Sequence, residues 1–289
     1  IELGGRHCKE KTMTLRINNN ISSVFAQKHL SRTQKRLDAS YDHLSSGMRI
    51  TRASDDAAGL GMSESMRANI RSLKQAMRNQ NDGISMIQTA EGSLSEVANN
   101  LMRMRQLAVQ SSSDVITNTE RAYIQTEFAA LQTEVDRIAN STEFNGLFLS
   151  NGITTSVVVQ VGINNVAAND RVTINMQNVT TTNLAIQGAV CSVGTSANAR
   201  TAIGLLDTAL TSVNTSRSAY GAAQNAITSA LHNTESYTEN LIASESRIRD
   251  VDFAAETSEL TRNSVFQQAG IAVLAQANQT SQAALQLLQ

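Results

Sequence analysis

Apolar side chains recur at alternating steps of four and three residues between Met66 and Ala108, and this row predicts the central element of the chain. Ten of the thirteen positions in the row are apolar, a pattern typical of a helix that packs lengthwise on a neighbouring helix. We expect one helix over residues 54–111, about 85 Å long at about 1.5 Å per residue, and therefore an elongated rod. The three positions that break the row are Gln80, Glu91 and Arg105.

Three further helices follow from the same kind of spacing. The first part of the chain places leucines seven residues apart, ahead of a Ser-Ser-Gly interruption, at Leu30, Leu37 and Leu44. A shorter helix is expected over residues 117–142 and a long one over residues 200–245. The long helix carries its own row at seven-residue spacing, in which Thr234 is the one residue out of character. We therefore expect this row to pack against the first.

The middle of the chain changes from helical spacing to strict alternation. Two alternating apolar runs, separated by an Asn-rich loop, predict a β-hairpin within residues 144–199. The runs are Val157, Val159 and Val161, then Val172, Ile174 and Met176. Residues 178–199 are rich in Thr, Asn, Ser and Gly, and we expect a loop or short strand there, at the outer tip of the rod. The predicted fold class is mainly α, with a small β-hairpin region in the middle.

Composition agrees with long, unbroken helices. The 289 residues include no tryptophan and no proline, which costs about 3 kcal/mol inside a helix. Aromatic residues are 3% of the chain, so the packing must depend on small and aliphatic side chains. The net charge of -1 gives no basic surface for nucleic acid or an anionic membrane, and no stretch resembles a membrane span. We therefore expect no nucleic-acid partner and no membrane insertion.

Candidate chemistry is sparse. Ser54 precedes Asp55 and Asp56, and we interpret these residues as a helix start with Ser54 as the N-cap. The paired aspartates also suggest a metal or catalytic site, but no histidine, cysteine or further acid lies at ligand spacing. The two cysteines, Cys8 and Cys191, are far apart in the sequence, so a disulfide framework is not expected. The sequence predicts no enzyme, no cofactor and no metal site.

The two ends of the sequence differ in character. Residues 1–12 carry charges, two glycines and no periodicity, and we interpret them as an expression leader, with Met13 as the natural start. Residues 263–289 contain no charged residue, yet Gln and Asn recur too often for a lipid-facing span. We expect all faces of this segment to meet other protein in the working state, because an unpaired buried charge is costly. A disordered tail is the alternative.

Several motifs closely resemble those of bacterial flagellin. In the first half of the chain they are LSSGMRI at 44–50, SDDAAGL at 54–60, QTAEG at 88–92, RQLAVQ at 105–110 and EFNG at 143–146. In the second half they are SRIRDVD at 246–252, QQAG at 267–270 and LAQANQ at 274–279. The resemblance covers nearly everything from residue 13 onward.

The resemblance implies a secreted structural subunit that self-assembles into the extracellular bacterial flagellum. Residues 13–53 and 248–289 would pair as an inner antiparallel coiled-coil domain, and residues 54–247 would form the rod domain. Export by the flagellar type III system is implied, together with a secretion chaperone and contacts with the filament cap and junction proteins. Subunit contacts are expected from apolar residues of both ends: Leu30, Leu37, Leu44, Phe266, Val273, Leu285 and Leu288.

The resemblance also implies recognition by host Toll-like receptor 5 through the long helix, at Arg103, Leu107 and Glu127. Two other protein classes share part of the pattern. A hook-filament junction protein resembles flagellin at both ends but does not repeat along a filament. A signalling coiled-coil rod explains the two rows but not the β-hairpin or the charge-free end. Long homopolymers grown from purified subunits would identify flagellin.

Overall fold

The structure is a computed structural model that describes the backbone of residues 20–286 and the side chains of residues 20–279. Within these residues the chain is mainly helical, with long helices toward both ends, which confirms the predicted fold class. The helices are α1 (Ile21–Ser46), α2 (Ala57–Ser111), α3 (Asn118–Ser141), the single turn α4 (Ala167–Asp170), α5 (Ser196–Arg249) and α6 (Phe253–Gln286). The strands are β1 (Glu143–Phe144), β2 (Leu147–Phe148), β3 (Ser156–Gln160) and β4 (Arg171–Asn175).

Side-chain caps fix where the first two helices begin. At the start of α1, the Asn20 side chain accepts a 3.1 Å hydrogen bond from the backbone N–H of Ser23. Asp56 is the N-cap of α2, because its Oδ1 accepts a hydrogen bond from the backbone N–H of Gly59 at 2.9 Å. The prediction of Ser54 as the N-cap is therefore wrong: Ser54 lies in the turn that precedes the helix.

The predicted β-hairpin is present. β3 and β4 pair antiparallel, with Val157 opposite Ile174 and Val159 opposite Val172. Val159 and Ile174 are 7% and 1% exposed, whereas Val158, on the other face of the strand, is 55% exposed. The hairpin therefore has one buried face and one solvent face, as its alternating sequence indicates.

A second, smaller hairpin was not expected from the sequence. β1 and β2 pair antiparallel around a two-residue turn. The turn residues, Asn145 and Gly146, have φ values of 49° and 79°, a conformation that asparagine and glycine adopt most readily. The strands are two residues long, too short to show alternation, so Asn-Gly is the one sequence signal for this hairpin.

Residues 66–242 form one compact unit with a core of aliphatic and small side chains. α2, α3 and α5 supply most of this core, and the β3–β4 hairpin packs on it. Gly83 gives the hairpin room to approach α2, because a Cβ at Gly83 would stand 2.9 Å from a methyl carbon of Val159. Side chains that are fully buried at the centre of the core are Leu94, Leu101, Phe128, Leu206 and Ile227.

The segment 178–195 is largely irregular, as expected, but it belongs to the core. Ile186 and Cys191 are both 0% exposed. Their carbonyl groups accept hydrogen bonds of 2.6 and 2.9 Å from the side-chain amide of Gln132 on α3. Burial raises the pKa of the Cys191 thiol to about 11. The segment is thus a packed part of this unit, held by a polar side chain as well as by its apolar residues.

The other compact unit contains the described residues through Ser65 and those from Ala243 onward. In it α1 and α6 pack against each other. Gln34 accepts a 2.6 Å hydrogen bond from Gln267, and the Asn20 amide donates to the carbonyl of Ala277. Because residue numbers rise on one helix as they fall on the other, the pair is antiparallel.

Several bounds differ from those expected. α2 begins at residue 57 rather than 54, and α5 covers residues 196–249 rather than 200–245. A break at residues 250–252 separates α5 from α6. The expected leader, residues 1–12, lies outside the described residues.

Candidate assembly surface and linker junction

The α1–α6 pair leaves large apolar side chains in solvent. Each of these side chains is between 51% and 63% exposed. On α1 and α6 they are Ile21, Val24, Phe25, Tyr41, Phe253, Val265, Phe266, Ile271 and Val273. Exposed apolar surface of this extent is typical of a face that contacts another protein.

The expected contact residues fall into two groups. Leu37 is 3% exposed and Leu30 and Leu44 are half-buried, so these leucines pack largely within the chain. Phe266 and Val273 are 53% and 59% exposed and remain open to a partner. The expectation that Leu37 makes a subunit contact is corrected, since its surface is already covered. The side chain of residue 285 and all of residue 288 lie outside the described residues.

The α1–α6 pair buries few apolar side chains between its two helices. On α1 the one apolar side chain that is buried is Leu37, and on α6 through residue 279 none is. Among residues 253–279 of α6, Asn263 is the one that is buried, and its Oδ1 has no hydrogen-bond partner. The pair therefore gains little apolar burial to offset the entropy of ordering two helices.

The linkers that join these helices to α2 and α5 pair with each other. Met48 and Asp250 form an isolated antiparallel β-bridge. The backbone N–H of Arg49 donates to the carbonyl of Arg249 at 2.6 Å, and the N–H of Val251 donates to the carbonyl of residue 47 at 3.1 Å. We call this arrangement the linker junction: residues 47–52 together with residues 248–252.

One arginine from each segment of the linker junction adds side-chain contacts to it. Arg49 donates from its guanidinium to the carbonyl of Ile248 at 2.7 Å. Arg249 donates to Glu64 Oε1 at 2.7 Å and contacts the Met48 sulfur at 3.1 Å. The Arg249 side chain is 11% exposed, whereas that of Glu64 is 53% exposed. A nearly buried cation thus meets a carboxylate that solvent still reaches.

The first linker is shaped by residues of the SDDAAGL motif. Asp55 accepts hydrogen bonds from the backbone of Arg52 and from the backbone and hydroxyl of Thr51, all between 2.9 and 3.1 Å. The bond from Arg52, followed by those from Thr51, holds the pKa of Asp55 below its ordinary value. Ile50 is 2% exposed and packs close to Gly59, where a Cβ would stand 2.8 Å from its methyl carbon. These contacts explain the paired aspartates without a bound metal.

The residues expected to contact the receptor are only partly exposed. Arg103 on α2 donates two hydrogen bonds to Glu127 on α3, at 2.6 and 2.9 Å, and both side chains are about half exposed. Leu107 is 2% exposed and belongs to the main core. The expectation of a receptor contact at Leu107 is therefore corrected, because its side chain points into the unit. Arg103 and Glu127 remain as a surface pair.

Sequence reasoning missed the contacts made by Glu64 and Arg249. Arg249 lies within the SRIRDVD motif, but nothing in the spacing indicates a partner 185 residues away. Over residues 20–279 no cluster of three metal-ligating side chains occurs. No helix in the part of the chain that the structure describes is long and apolar enough to cross a membrane.

Comparison with known proteins accounts for nearly the whole chain. Residues 17–155 match the family model described as the bacterial flagellin N-terminal helical region, and residues 203–288 match the C-terminal helical region. The flagellin of Halalkalibacterium halodurans is 43% identical over 272 residues, which cover 94% of this chain and 99% of that protein. The flagellin of Bacillus subtilis is 40% identical over 306 residues, covering 95% and 100%.

A solved structure shows the same fold at low sequence identity. The putative flagellar hook-associated protein from Vibrio parahaemolyticus aligns with a TM-score of 0.57 and 15% identity, over 68% of this chain and 100% of that one. At this identity the likeness concerns the fold alone.

Proposed function

The chain belongs to the bacterial flagellin family, and from that premise we propose that the exposed apolar side chains of the α1–α6 pair are its polymerisation surface. As a flagellin it is a structural subunit of the flagellar filament and not an enzyme. The extracellular flagellum is consistent with this family.

The observation that supports the proposal most is the contrast between the two sides of the α1–α6 pair. Among the described side chains its interior buries one leucine, whereas its outside presents Phe25, Phe266 and Val273 to solvent. Covering such side chains contributes about 25 cal/mol per Å² of apolar area. Neighbouring subunits that cover them would supply the stability that the pair lacks by itself. A long homopolymer places every subunit in contact with such neighbours.

Export is proposed through the flagellar type III channel, with a secretion chaperone that holds the C-terminal segment before assembly. The charge-free run from residue 263 supports this, because its apolar side chains on α6 would need cover before neighbours are present. The filament cap and junction proteins are proposed to meet the same surface, since they occupy the positions where a further subunit would sit.

Recognition by Toll-like receptor 5 is proposed at the surface around Arg103 and Glu127. These side chains are exposed and hydrogen-bonded to each other across α2 and α3. Tyr123, 72% exposed on α3, and Met102, 47% exposed on α2, add apolar area to the same two helices. Aromatic and arginine side chains are those most often found at the centre of protein interfaces.

Seeded elongation tests the polymerisation surface. Purified subunit is mixed with short filament fragments, and filament length is followed by electron microscopy. We expect the wild type to elongate into long filaments, and Phe266→Ser with Val273→Ser to elongate far more slowly at unchanged folding of residues 66–242. The matched control is Val115→Ser, which removes an apolar side chain that is 91% exposed outside the terminal pair.

The control should elongate like the wild type. Equal growth of the double variant and the wild type would rule out these side chains as the polymerisation surface. A wild type that forms short caps but never elongates would instead indicate a hook-filament junction protein.

A further inference from the structure

One guanidinium connects three separate segments at the linker junction. Arg249 is the last residue of α5, Glu64 lies in the second turn of α2, and Met48 follows α1. The Arg249 side chain reaches both of the others, at 2.7 and 3.1 Å, while its carbonyl accepts the N–H of Arg49. A displacement of Arg249 would therefore also disturb the backbone bridge between the linkers.

The two members of the Arg249–Glu64 ion pair differ in their exposure to solvent. A nearly buried guanidinium that loses its carboxylate is left uncompensated, which is unfavourable. The carboxylate itself is half exposed, so water and dissolved ions reach the pair and weaken the attraction. An ion pair of this kind can break and form again as its surroundings change. Breaking a fully buried ion pair has a larger free-energy cost.

We propose that Arg249 and Glu64 form an ionic latch that keeps the linker junction closed. A closed latch fixes the last turn of α5 and the first turns of α2, and so holds the end of α1 beside the start of α6. The latch thereby sets how readily the terminal helices order when subunits assemble, a step that depends on the proposed polymerisation. Arg249 and Glu64 are positioning residues, because neither is among the exposed apolar side chains of the polymerisation surface.

Hydrogen exchange on the free subunit tests the latch. We expect Glu64→Gln to increase exchange at the backbone N–H groups of Arg49 and Val251 by about tenfold, since both donate across the junction. Wild-type subunit in about 1 M NaCl should show an increase at the same two groups. The critical concentration for seeded growth should rise in Glu64→Gln as well.

The matched control is Asp207→Asn, which removes a half-exposed carboxylate 2.6 Å from Arg105, a pair within residues 66–242. It should leave exchange at the junction within about twofold of wild type. Exchange in Glu64→Gln that equals the control would overturn the latch. Because exchange is measured before assembly, a wild type that fails to polymerise would count against the proposed function and not against the latch.

Discussion

The side-chain amide of Gln80 donates a 3.1 Å hydrogen bond to the hydroxyl of Thr234, and these two residues are polar interruptions in the apolar rows of α2 and α5. The other two interruptions on α2 also face polar partners on α5: Glu91 lies 3.6 Å from Arg217, and Arg105 lies 2.6 Å from Asp207. The three polar positions of the α2 row therefore meet polar partners on α5 in antiparallel order.

Removal of the Gln80 amide should destabilise residues 66–242 more than removal of the Thr234 hydroxyl. Gln80 also donates to the carbonyl of Val161 at 2.9 Å, so Gln80→Leu leaves a buried carbonyl without a donor and should cost about 1–3 kcal/mol. Thr234→Val leaves that bond in place and should cost less. Urea unfolding measures both, and equal losses would show that the bond to Val161 contributes nothing.

The two faces of β3 should respond differently to a buried charge. Val159→Asp places a carboxylate in the core beside Gly83 and should cost more than about 3 kcal/mol. The neighbouring substitution Val158→Asp lies on the solvent face and should change stability by about 0.5 kcal/mol. Thermal unfolding of the two variants decides the matter, and similar midpoints would mean that the hairpin is not held on the core.

Leu107 and Arg103 should separate folding from receptor recognition. Leu107→Ala empties part of the core and should cost about 2–5 kcal/mol, so any loss of signalling would follow from loss of fold. Arg103→Ala breaks a half-exposed ion pair and should cost at most about 1 kcal/mol. We expect Arg103→Ala to lower Toll-like receptor 5 signalling in a cell reporter assay at nearly unchanged Tm. Full signalling by this variant would exclude Arg103 from the receptor surface.

Acid should loosen the first linker through Asp55. Its pKa is lowered in the folded chain, so its contribution to stability is complete above the ordinary value of 3.8 and is lost as the pH falls through the lowered value. Asp55→Asn should remove this part of the acid dependence. Hydrogen exchange of residues 51–56 between pH 5 and about pH 2 measures it, although intrinsic exchange rates must be corrected for pH. An unchanged profile in Asp55→Asn would assign the acid response to other carboxylates.

The sequence predicts those elements whose signal is local. Alternation of Val157 and Val159 was sufficient for the larger hairpin, because one face of it is buried. Asn145-Gly146 is a turn signal, but the strands on either side of it are two residues long and too short to alternate, so the smaller hairpin was not predicted. The choice of Asp56 over Ser54 as the cap of α2 depends on Asp55 closing the loop before it.

Contacts between distant segments could not be read from spacing. One example is the Arg249–Glu64 ion pair. Another is the pair of hydrogen bonds from Gln132 to the carbonyl groups of residues 186 and 191. No periodicity relates the segments that these contacts join. Burial of Leu107 also required the structure, because α2 contacts both α3 and α5 and the sequence does not say which of its positions either helix covers. The linker junction depends mainly on such contacts between distant segments.

Limited proteolysis before and after polymerisation tests most directly the claim that neighbouring subunits stabilise the α1–α6 pair. In the free subunit we expect the protease to remove the ends up to the linker junction, roughly residues 13–46 and 253–289, because the pair buries so little apolar area. The remaining core should stay soluble and fail to elongate filaments, and the same ends should resist the protease once assembled. Ends that are equally protected in the free subunit would contradict this account.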